Sequence, residues 1–74
     1  MHGKMQKLNI QITTEYIKLD QLLKFSSIAG SGSEAKYIIQ TEKVTVNGER
    51  VTQRGKKIRS GDVVIFGETE INVC

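Results

Sequence analysis

The chain contains no proline and no tryptophan, a single cysteine, a single histidine, and only two tyrosines and two phenylalanines. With Cys74 alone no intramolecular disulfide can form, and His2 and Cys74 offer no cluster of soft ligands for a metal. No metal or other cofactor is implied, and neither terminal residue is assigned a role. So few rings cannot line a large apolar cavity, which counts against a small-molecule substrate. No apolar stretch approaches the roughly 18 residues of a membrane span. The opening "MHGKMQKLNI" also lacks the apolar run of a signal peptide. A cytoplasmic protein without a membrane segment is expected.

What remains is aliphatic and charged. Seventy-four residues suit one domain, taken as 1–74, with a modest core of Ile, Val and Leu. A chain of this size buries only about 60% of the surface that its unfolded form exposes. Phe25 and Phe66 are assigned to that core, which leaves Tyr37 as the candidate platform for stacking a base. The formal net charge is +3, but it is unevenly placed. Between Lys36 and Arg59 the balance is +5, and over the rest of the chain it is −2. Such asymmetry points to a polyanionic partner. Taken alone, the run "QRGKKIR" at 53–59 reads more readily as a solvated loop than as a binding surface.

Hydrophobic periodicity divides the chain. "KLNIQIT" at 7–13 alternates, with Leu8, Ile10 and Ile12 on one face of a strand. "LDQLLKFSSIAG" has a helical stripe of Leu19, Leu22, Leu23 and Ile28, with Gly30 as its expected C-terminal stop and Asp20 as a structural carboxylate in its first turn. "SGSEAKYIIQ" predicts a second helix opened by a Ser31–Glu34 capping box, in which each side chain satisfies the other's free backbone N–H. Its inward face is Ala35, Ile38 and Ile39. Lys36, Gln40 and Lys43 form the outward stripe. The period then becomes two: Val44 and Val46, a hairpin turn at Asn47–Gly48, and Val51 on the return. "VVIF" at 63–66 reads as a buried strand, and "TEINVC" as a last one with Ile71 and Val73 inward. The expected order is β-α-α-β-β-β-β. This is an α+β domain of two short helices packed on a small antiparallel sheet.

The segments "IKLDQLL", "SGSEAKYII", "VTVNGERV" and "KKIRSGDVV" stand in the order and spacing of the S-four-type RNA-binding domain, also called the αL motif. The chain resembles that family over 17–66, and is most similar to its small stand-alone bacterial members, the YaaA/YbcJ-like proteins. The resemblance implies an RNA-facing surface built from the start of the second helix, its outward stripe and the adjoining hairpin. Carried over by position, it implies roles for Lys18, Ser31, Gly32, Ser33, Lys36, Gln40, Lys43, Asn47 and Arg50. Elementary chemistry agrees with this. A helix N-terminus offers free N–H groups and partial positive charge to a phosphate, and Gly32 allows close approach. For Asn47 the more economical role is a turn residue at positive φ.

The chain departs from the family pattern at three places. Lys18 replaces an arginine, which keeps the charge but loses the planar fork that grips phosphate. Gly32 stands where many members carry an arginine, so the cations of the basic run, Arg54, Lys56, Lys57 and Arg59, are expected to supply the missing charge. Glu42 replaces a glycine, at a cost on the order of 1 kcal/mol if its φ is positive.

The function that follows is non-enzymatic binding of structured RNA, read by shape and backbone with weak sequence discrimination. Ribosomal RNA or a ribosome-assembly intermediate is the expected target, with a ribosomal subunit or another RNA-processing protein as a further partner. No nucleophile–base pair or carboxylate pair can be assembled for catalysis. Two alternatives come from other classes. One is an adaptor whose basic face meets an acidic protein or DNA. The other is a β-grasp sulfur carrier, whose chemistry needs a C-terminal Gly-Gly where this chain reads "INVC".

Overall fold

The computed structural model describes residues 6–41 and 44–74. In chain order these form β1 (Gln6–Ile10), β2 (Ile17–Lys18), α1 (Leu19–Phe25), α2 (Gly32–Thr41), β3 (Val44–Val46), β4 (Glu49–Arg50), β5 (Lys57–Ile58), β6 (Val63–Phe66) and β7 (Thr69–Val73). One sheet has the order β1-β7-β6-β3-β4, and β2 pairs with β5 in a separate two-stranded sheet. A single aliphatic cluster joins the helices to both sheets: Leu19, Leu22 and Leu23 from α1, Ala35, Ile38 and Ile39 from α2, and Val44, Ile58, Val64 and Ile71 from strands. Among the described residues no helix is long and apolar enough to cross a membrane.

The α+β class holds, but the sheet is mixed. β1 runs parallel to β7, with Leu8 beside Ile71 and Ile10 beside Val73, whereas the other pairs are antiparallel. Alternation specifies which side chains of a strand are buried, not the direction of its neighbour. Here nearly the whole intervening chain acts as the crossover that a parallel pair requires. The ladder extends beyond the strand ends through Cys74 N–H to Ile10 C=O (2.8 Å) and Ile12 N–H to Cys74 C=O (3.0 Å). In β6 only Val64 is fully buried; Val63, Ile65 and Phe66 are half-buried.

The first helix is shorter than its hydrophobic stripe. It stops at Phe25, five residues before the expected glycine, because Ser27 enters the left-handed region at φ 67°. Ser27 N–H then bonds Lys24 C=O (3.0 Å) and Ile28 N–H bonds Leu23 C=O (3.0 Å). This is the paired termination in which a left-handed residue directs the chain back over the last turn. The early stop also corrects the placement of Phe25, which is 65% exposed and outside the core. Tyr37, the candidate platform, is 63% exposed. At the hairpin, Asn47 (φ 53°) and Gly48 (φ 88°) take the two left-handed positions of the expected turn.

Candidate nucleic-acid interface

The basic run is held in place by its backbone. The N-cap residue of α1 is Lys18, whose side chain makes no capping bond. The helix's first two N–H groups instead find carbonyls in the basic run: Leu19 N–H donates to Lys56 C=O at 2.9 Å and Asp20 N–H to Arg54 C=O at 3.1 Å. These bonds satisfy donors that a helix start leaves free. A turn closed by Lys56 N–H to Gln53 C=O (3.2 Å) leads in, and β5 leads out by pairing with β2. Period two then separates the faces of β5. Ile58 is fully buried opposite Ile17, while Lys57 is exposed directly opposite Lys18. Four expected cations, Lys18, Arg54, Lys56 and Lys57, are thus gathered around the start of α1 on a fixed backbone. Lys57 Nζ also lies 4.9 Å from the centre of the Tyr16 ring, within cation–π range.

The second group lies on α2. Lys36 and Gln40 are exposed on the outward face, together with Ser33 and Tyr37. Lys43 and Glu42 lie outside the described residues. The helix start differs from the expected capping box in one bond. Ser31 Oγ accepts from Glu34 N–H (3.2 Å) as expected, but Glu34 Oε1 accepts from Gly30 N–H (2.5 Å), one residue before the cap. The N-terminus of α2, expected to attract a phosphate, therefore carries a carboxylate of its own. That carboxylate answers the helix dipole and opposes an incoming anion.

The third group is at the hairpin. Both ends of the Asn47 amide make a hydrogen bond within the protein. Its Nδ2 donates to Asp62 Oδ1 (3.0 Å) and its Oδ1 accepts from Val63 N–H (2.9 Å), which matches its role as a turn residue. The second carboxylate oxygen of Asp62 accepts from Arg59 N–H (2.8 Å). The Arg59 bond, then the Asn47 bond and the nearby Lys56 and Arg59 charges, together hold the Asp62 carboxyl below its ordinary range against a smaller cost of burial. Arg50 and Arg59 are exposed beside this hub. The residues around Asp62, "SGD" at 60–62, give no local sign of this role. Its partner Asn47 lies fifteen residues away, and nothing local marks the pairing.

Residues 10–74 match the sequence profile described as the S4 domain. The chain belongs to the S4 domain family. The S4 domain is an RNA-binding domain, and the matched span takes in both helices and β2 to β7. "Probable ribosome maturation protein RlbA" of Bacillus subtilis (strain 168) is 44% identical to this chain over 55 residues. The alignment covers 74% of this S4 protein and 78% of the relative.

Proposed function

We propose that this S4 protein is a non-enzymatic binder of structured ribosomal RNA, acting on the ribosome or on an assembly intermediate. The observation that carries the reading is the fixed cationic cluster at the start of α1. Backbone hydrogen bonds from Leu19 and Asp20 hold the Arg54–Lys57 segment, so its cations are presented with less conformational freedom to lose than those of a free loop. The similarity to a relative named for ribosome maturation supports the choice of ribosomal RNA. The mechanism is phosphate neutralisation by Lys18, Arg54, Lys56 and Lys57, extended by Lys36 and Gln40 of α2, by Lys43, and by Arg50 and Arg59 at the hairpin. Ser31, Gly32 and Ser33 contribute close approach and hydroxyls at the start of α2. The adaptor reading makes the same charges meet DNA or an acidic protein, and competition at fixed salt separates the two.

The test is a salt titration of binding to ribosomal RNA fragments, with duplex DNA as competitor. With about four to six phosphates contacted, the log–log slope is expected at roughly −3 to −5. A slope near zero, or duplex DNA competing as well as folded RNA, would overturn the reading.

A further inference from the structure

One cavity adjoins the cationic cluster and shares only Lys18 with the mechanism above. It is a cleft of about 450 Å³ lined by Thr14, Glu15, Tyr16, Ile17, Lys18 and Gln21, a volume within the range of small-ligand sites. Its wall is preformed, because Thr14 Oγ1 donates to Tyr16 C=O (2.8 Å) and fixes the turn that carries the ring. Lys57 sits over the Tyr16 ring yet does not line the cleft. Tyr16 thus adjoins both the cleft and Lys57.

We propose that this cleft holds one unpaired nucleotide of a bound RNA, with its base against Tyr16 and its phosphate between Lys18 and Lys57. The inference rests on the RNA-binding reading and names a subsite for it. Three observations converge. Lys18 and Lys57 are direct cross-strand partners, an arrangement of like charges that is unfavourable alone and that an anion between them would relieve. Tyr16, half-buried and anchored, offers a flat apolar surface with little freedom to lose. Gln21, exposed on α1, carries both a donor and an acceptor suited to a base edge. Glu15 lies on the same rim and repels a duplex backbone laid across it, which favours a base inside and phosphate only at the lysine end.

The test compares two RNA hairpins that are identical except for one bulged adenosine, by affinity and by amide chemical shifts of the ¹⁵N-labelled protein. The bulged hairpin is expected to bind about tenfold tighter. It should also shift the amides of Thr14 to Lys18 and Gln21, which the paired hairpin leaves in place. Tyr16→Ala is expected to bring the affinity ratio to about one, and Tyr16→Phe, which keeps the ring, to preserve it. Should Tyr16→Ala fail to fold, the shift map of the unchanged protein decides the matter. Equal binding of both hairpins with no shift at the cleft overturns the subsite and leaves RNA binding standing. If neither hairpin nor a ribosomal RNA fragment binds, the RNA reading itself falls and takes the subsite with it. If adenosine monophosphate alone shifts the same amides at an affinity matching the bulged RNA, the occupant is a free nucleotide and the proposal is wrong.

Discussion

Asn47 and Asp62 are joined side chain to side chain at 3.0 Å, and through them the β3–β4 turn is tied to the loop that ends the basic run. Asn47 Oδ1 also accepts from Val63 N–H, and the backbone carbonyl of Asp62 accepts from Val73 N–H at 3.0 Å. One amide and one carboxylate thus connect the hairpin, the Arg59–Asp62 turn and the start of the last antiparallel pair.

Asn47→Ala removes both side-chain bonds and leaves a β-carbon at φ 53°. A loss of about 2 kcal/mol is expected from the bonds and the strained backbone together. Asn47→Gly loses only the bonds and should cost less. Urea denaturation of the two variants separates the contributions. Equal costs would show that the backbone conformation is unimportant.

The depressed Asp62 pKa sets a direction for acid sensitivity. Its folded value lies below the ordinary 3.8, so the unfolded chain takes up this proton first as pH falls. The stabilisation is therefore complete above the ordinary value and is lost as pH falls toward and through the lowered one. Asp62→Asn should be less stable than the parent at pH 6 and should lose less stability between pH 5 and pH 3. Denaturation midpoints across that range check it; parallel curves would contradict it.

Ser27→Gly relieves the left-handed strain at the end of α1. The αL penalty of an L-residue exceeds the extra unfolded-state entropy of glycine. A gain of roughly 0.5–1 kcal/mol is expected, read as a higher thermal midpoint. A loss would mean that the Ser26–Ile28 connection depends on the serine side chain.

Glu34→Gln keeps a side chain able to reach Gly30 while removing the charge at the start of α2. If phosphate approaches that helix end, RNA affinity should rise about threefold as the repulsion is lifted. An unchanged affinity would exclude Ser31, Gly32 and Ser33 from the interface.

Lys18→Glu combined with Lys57→Glu reverses two partnered charges on an exposed face. RNA binding should weaken at least tenfold and the salt slope should shrink by about two phosphate equivalents. The exposed Lys7→Glu, on β1, serves as the control. Equal loss in the control would point to net charge alone and not to this face.

Much of the architecture was legible because burial imposes a period on the sequence. Leu19, Leu22 and Leu23, then Ala35, Ile38 and Ile39, then Val44 and Val46 are all buried as their spacing predicts. The Asn47–Gly48 turn follows from local chemistry alone. The same logic failed at Phe25, where hydrophobic character was taken for burial. Its helix ends at that residue, and the ring remains at the surface. The candidate site was legible as a set of cations but not as an arrangement.

The sequence by itself determined the class, most of the core residues, the hairpin and the uneven charge, since each is written in residues close together along the chain. The tertiary structure alone decided that β1 lies parallel to β7, that Lys18 stands opposite Lys57, and that the carbonyls of Arg54 and Lys56 cap α1. Those relations join residues up to about sixty positions apart through backbone groups that every residue shares. No side-chain pattern encodes them, and they exist only once the common core of Leu19, Ile58 and their neighbours has closed.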